Sequence, residues 1–125
     1  METVETRTET IHVDPEGIVR CVVKEVASMT EEDARANIAA IWECNGQRPA
    51  RVLVDARKTH HVTREARAFL AGEETARVQA ACALWVSSPV STLIANFFMG
   101  FNRPRYPVRI FSSEADALKW LRDCG

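Results

Sequence analysis

Val78-Gln-Ala-Ala-Cys-Ala-Leu-Trp-Val86-Ser-Ser-Pro-Val90-Ser-Thr-Leu-Ile-Ala-Asn96-Phe-Phe-Met-Gly-Phe-Asn102 carries no charged residue, in a chain where charged residues make up 26%. Arg77 and Arg103 bound it. Such a run is a membrane span, a buried strand followed by a helix, or a surface meant for a partner. A spanning helix needs ~20 predominantly apolar residues. The length fits, but Ser87, Ser88, Pro89, Ser91 and Thr92 stand at the centre, where lipid would leave polar groups unsatisfied. The stretch divides better there. Ala80 to Val86 has the length and composition of a strand covered on both faces. Ser88 reads as an N-cap and Pro89 as the first helical residue, where its missing N–H costs nothing. Val90, Leu93, Ile94, Phe97, Phe98 and Phe101 then follow at helical spacing as the expected inner face. Gly100 or Asn102 can end the helix, and Pro104 forbids its continuation.

The other side of that helix offers Ser91, Thr92, Ala95, Asn96 and Met99. A helix side that meets only water normally carries charges, and this one carries none. The expectation is that this side is covered. Its cover is either the same helix of a second subunit, two-fold homodimers being the commonest assembly, or the rest of the domain.

Outward from this stretch the chain reads as alternating strands and helices. Thr8 to Val13 and Ile18 to Glu25 form a hairpin around Asp14-Pro15-Glu16-Gly17, which suits a type I turn. Thr30 caps a helix with Glu31, Glu32 and Asp33 in its first turn and Ala34, Ile38, Ile41 and Trp42 as its apolar face; Asn45-Gly46 ends it. Val52-Leu53-Val54 is a short strand ending in Asp55. A polar loop follows, and Thr63 caps a second helix with Ala66, Phe69 and Leu70 inside. Gly72 ends or bends that helix, and Glu73 to Arg77 leads into the uncharged run. Beyond it, Pro107 to Phe111 is a strand with proline confined to its start, and Ser113 caps a final helix. The order is β-β-α-β-α-β-α-β-α. It predicts an α/β fold with a mostly parallel sheet opened by an antiparallel hairpin.

A length of 125 residues predicts one domain, with 1–6 as a flexible segment, and 46% hydrophobic content at net charge −1 indicates an ordinary globular protein. No basic stripe appears, so nucleic acid is not expected as the partner. The acidic start, Met1-Glu2-Thr3-Val4-Glu5, is no signal peptide. Cys21, Cys44, Cys82 and Cys124 are widely spaced. They read as reduced thiols in a cytoplasmic protein rather than a disulfide framework or zinc site. No motif calls for a cofactor.

The strand Val52-Leu53-Val54-Asp55 with its polar loop and capped helix, together with the element order and length, resembles a STAS domain, the fold of the anti-sigma-factor antagonists. Ser87-Ser88-Pro89-Val90-Ser91, Asn96-Phe97-Phe98, Pro104-x-x-Pro107-x-Arg109-x-Phe111 and Ala117-x-x-Trp120-Leu121 look, more narrowly, like small bacterial proteins labelled STAS-like or CRAL-TRIO-like. The resemblance implies a non-catalytic regulatory or protein-interaction module, working with itself or another regulatory protein. The alternative it implies is a carrier or sensor of a small apolar or amphipathic ligand. Antagonists of the family carry a phosphorylatable serine at the start of the helix after the third strand. Here that region reads Val62-Thr63-Arg64-Glu65, without the Asp-Ser-Ser-Gly-like motif. Thr63 is the one hydroxyl there; it reads as an N-cap and as the candidate phosphoacceptor.

Sites in open parallel sheets form beyond the carboxyl ends of strands. Those ends supply Asp55, Ser87 and Ser112, with caps Thr63, Ser88 and Ser113, a rim suited to a small anion. No catalytic signature is legible. Neighbouring His60 and His61 point apart in an extended loop, which is poor geometry for a metal. Arg57, Lys58, Arg64 and Arg67 form a local basic cluster.

Overall fold

Asp14 builds the first turn with its own side chain. Its carboxylate accepts from the Glu16 and Ile18 backbone N–H groups at 2.9 and 3.0 Å, and Gly17 closes the turn at φ +82°, a conformation that costs glycine nothing. The strands on either side, Glu9–Val13 and Val19–Val23, pair antiparallel. The computed structural model describes residues 3–124.

Six strands form one mixed sheet: β1 (Val4–Glu5), β2 (Glu9–Val13), β3 (Val19–Val23), β4 (Ala50–Asp55), β5 (Gln79–Trp85) and β6 (Val108–Phe111). Their order in the sheet is their order in the chain. β3 to β6 are parallel. Right-handed crossovers that always step in one direction place every connecting helix on one face. So α1 (Glu31–Cys44), α2 (Arg64–Ala71), α3 (Glu73–Val78) and α4 (Pro89–Phe97) share a face, and α5 (Glu114–Asp123), after the last strand, covers the other. The expected α/β architecture and hairpin are present.

Two elements are additional. Glu73–Val78 is a separate short helix beyond the bend at Gly72. Within the segment 1–6 expected to be flexible, Val4 and Glu5 pair with Ile11 and Thr10 as an edge strand; Met1 and Glu2 lie outside the described residues. That correction has a local cause: Lys24 Nζ donates to the Thr6 carbonyl at 2.8 Å, and the Thr6 hydroxyl donates to Asn37 Oδ1 on α1. These contacts hold the start of the chain against the sheet.

Ile11, Val19, Cys21, Val52, Ile38 and Ile41 form the core under α1. Ile18, Leu53, Ala81, Ala83, Ala117 and Leu121 form the core against α5. Fully burying each large aliphatic side chain contributes roughly 2 kcal/mol. The caps behave as local chemistry dictates. The Thr30, Thr63, Ser88 and Ser113 hydroxyls each accept the backbone N–H three residues on. α4 runs on into a π-helical turn, Phe98–Asn102, ended by Arg103 at φ +50°.

Candidate functional site

α4 is turned opposite to the expectation. Val90, Leu93, Phe97 and Phe101 are 48%, 70%, 45% and 67% exposed, whereas Ser91 and Ala95 are 2% and 5% exposed. Of the expected inner face only Phe98 is buried, with Ile94 half-buried. Of the side expected to be covered, by a second subunit or by the rest of the domain, Ser91 and Ala95 are covered by their own chain, Thr92 and Met99 are half-buried, and Asn96 is exposed. The cap sets this rotation. Ser91 Oγ accepts from the Ser87 and Ser88 backbone N–H groups at 3.3 and 3.1 Å, and Ser88 Oγ accepts from Ser91 N–H at 3.0 Å. This reciprocal box draws Ser91 inward. Ala95 and Phe98 lie four and seven residues on, along the same face.

The consequence is a void. Small side chains face the sheet where large ones would fill the space, and a cavity of about 110 Å³ remains between the sheet and α1, α2 and α4. Its wall is largely apolar: Val23, Ile38, Val54, Leu84 and Phe98 contribute. Its polar groups include Glu9, Cys21, Asn37, Arg67, Gln79 and Tyr106. Most of these bond elsewhere. Asn37 Nδ2 donates to Thr8 Oγ1 at 2.9 Å. Gln79 Nε2 donates to the Tyr106 hydroxyl at 3.1 Å, and that hydroxyl donates to the Leu70 carbonyl at 2.7 Å. Arg67 Nη1 donates to the Val62 carbonyl at 2.6 Å and the guanidinium lies 4.8 Å from the centre of the Phe97 ring, while its buried Nε has no partner among the described residues.

Glu9 is the exception. It is 6% exposed, and burial pushes its carboxyl up to about 7, offset only in part by a hydrogen bond from the Cys21 thiol. The thiols beside it stay protonated. Burial pushes Cys82 up to about 12 and Cys21 well above the ordinary thiol range, so neither is a ready nucleophile. Tyr106 is likewise raised by burial.

The rim residues are separately occupied. Thr63 Oγ1 accepts from Ala66 N–H at 3.1 Å. Asp55, half-buried at the end of β4, is held bidentately by Arg57, which also stacks 3.7 Å from the Trp85 ring centre. Burial alone would raise the Asp55 carboxyl; the hydrogen bonds from Arg57 and the charges of Arg57 and Lys58 bring it below its ordinary value. Ser87 is exposed, and Ser88 is tied into the α4 cap. The parallel strands never reverse order, so no switch-point crevice opens beside this rim. His60 meets Glu25 at 3.2 Å and His61 meets Ser28 at 2.8 Å. All four cysteines are free. No helix of the described residues is long and apolar enough to cross a membrane.

Glu9 is not among the candidate site residues that the sequence marks, yet the sequence holds a signal for it. Counting back in twos from Val13 and Ile11 puts Glu9 on the same buried row. By sequence Arg67 belongs to the local basic cluster; its place on the cavity wall follows from packing.

Residues 11–124 match a family described as Domain of unknown function (DUF7793). The chain belongs to that family. No curated protein matches it. Among solved structures, it is similar to an uncharacterized protein of the DUF3478 family with a SpoIIAA-like fold from Shewanella loihica PV-4. That protein is 16% identical at TM-score 0.56, and the match covers 96% of this chain and 90% of the other. This likeness shows a SpoIIAA-like, that is STAS-like, α/β fold. A protein with unknown function from Arthrobacter sp. FB24 is 34% identical over 90% of this chain and 97% of its own, at TM-score 0.36.

Proposed function

We propose that this domain is a non-catalytic regulatory module that acts through protein contact, with the outer face of α4 as its contact surface and a second copy of the chain as the occupant. One observation carries the reading: Val90, Leu93, Phe97 and Phe101 stand exposed together on a helix and turn that carry no charge. Phe97 and Phe101 stack at 5.0 Å with their planes 20° apart, presenting a flat aromatic pair. Exposed apolar side chains grouped on one face mark interaction sites. A helix without charged side chains of its own meets its copy across a two-fold axis with no like-charge repulsion between the two helices, which favours the homodimer. The covered surface proposed here is therefore the Leu93 side of α4 rather than the Ser91 side.

Sedimentation at tens of micromolar tests it. Wild type should be a dimer, and Leu93→Glu and Phe101→Glu, both at exposed positions, should be folded monomers. A monomeric wild type, or dimers unchanged by both substitutions, would reject the surface.

A further inference from the structure

A buried carboxyl without a cationic partner is costly, and the position of Glu9 gives no structural reason for one. Its cross-strand partner is Val23, and Ile11 and Cys21 are its neighbours on the same face of the sheet. Among the groups on the cavity wall, Arg67 is the cation, but its guanidinium is turned to the Val62 carbonyl and the Phe97 ring. The Cys21 thiol is a weak donor. The amide and hydroxyl groups of Asn37, Gln79 and Tyr106 are paired with other protein groups. What remains is a largely apolar chamber faced by one carboxyl, that of Glu9, and by the unpaired Nε–H of Arg67.

We propose that this cavity is a binding site for a small cationic amphipath, a primary or secondary amine on a short branched apolar body, whose ammonium group pairs with the Glu9 carboxylate. The size follows from the chamber. An apolar cavity of roughly 150 Å³ accepts a benzene-sized molecule, so about 110 Å³ suits a ligand of about five heavy atoms. Its apolar part would lie against Val23, Val54, Leu84 and Phe98. Binding supplies a countercharge in direct contact with Glu9, which none of the described cations provides, so it favours the ionised carboxylate and strengthens as pH rises through the range where Glu9 titrates. The other titratable wall groups do not interfere. The Cys21 and Cys82 thiols and the Tyr106 phenol are all raised by burial and stay neutral up to pH 8. The site is independent of the dimer surface, which uses the opposite side of α4.

The test is an NMR titration of the full chain with isobutylamine, and with isobutanol and isobutyrate as neutral and anionic counterparts of similar shape. Isobutylamine should shift the amides of Val23, Val54 and Leu84 and bind at least tenfold more tightly than isobutanol at pH 8. Its affinity should fall at pH 6. Glu9→Gln should reduce it to that of isobutanol. Ala95→Leu, which fills the chamber without touching the carboxyl, should weaken all cavity binding. Equal affinity for the three probes, preference for isobutyrate, or no shift of these amides by isobutylamine would overturn the proposal. So would amine binding left unchanged by both substitutions.

Discussion

Thr63 holds two proposed roles in one hydroxyl. As a cap it accepts the Ala66 N–H at 3.1 Å, and replacing such a cap by alanine costs about 1 kcal/mol. Thr63→Ala should therefore lower the denaturation free energy by about that amount, measured in urea with an unchanged m-value. A negative charge suits the same position, since the helix N-terminus is positive and Arg64 and Arg67 follow. Thr63→Glu should leave the fold intact. On the proposal that Thr63 is a phosphoacceptor, the same substitution must change what the domain binds in pull-down experiments. Identical partner recovery by wild type and variant would count against it.

α4 shows how a helix can be assigned correctly and faced wrongly. Its start, at Ser88 and Pro89, follows from capping chemistry that two or three residues decide. Its rotation does not, because both sides are apolar or small and periodicity alone cannot rank them. The Ser88–Ser91 box and the burial of Ser91 and Ala95 on the domain side decide it. The helix then continues into the π-helical turn at Phe98, a form that recurs at functional sites. Gly100 lies within that turn at an exposed position, and a Cβ placed there meets no heavy atom within 4 Å. Gly100→Ala should stabilise the protein by roughly 0.5 kcal/mol, chiefly by restricting the unfolded chain. A destabilisation measured by thermal melting would mean that this turn needs the freedom of glycine.

Global stability should carry the signature of Glu9. Its carboxyl is raised from 4.5 to about 7 in the folded state, so between those values the native protein binds more protons than the unfolded chain. Stability linked to this group is fully present below the unfolded value and is lost as pH rises through the folded one. The loss should amount to about 3 kcal/mol between pH 4 and pH 8. Asp33 acts in the opposite sense. Its hydrogen bond with Arg7, partly opposed by burial, holds its carboxyl well below the usual range. The stability it contributes is lost only as pH falls below the ordinary carboxylate range. Glu9→Gln should flatten the decline from pH 5 to pH 8 while leaving the acid limb in place. Parallel stability profiles for wild type and variant would show that Glu9 is not buried as described.

What the sequence determined by itself is what neighbouring residues decide among themselves: the strand–helix order, the four hydroxyl caps, the Asp14–Gly17 turn, the break at Gly72 and the division of the uncharged run at Ser87-Ser88. The caps, the turn and the breaks rest on hydrogen bonds or dihedral preferences within about five residues, and the element order on apolar periodicity within each segment. The tertiary structure decided the rest. β1 exists because Lys24 and Asn37, distant in sequence, bond to Thr6. The chamber is lined by Ser91 and Ala95 of α4 together with Cys82 and Leu84 of β5 and residues of α1 and α2, a juxtaposition that no local pattern encodes. The Glu9 carboxyl is raised because elements from across the chain pack around it and bury it. Burial and cavity volume are properties of surfaces brought together from the whole chain, and so the candidate site emerged only when the elements were packed.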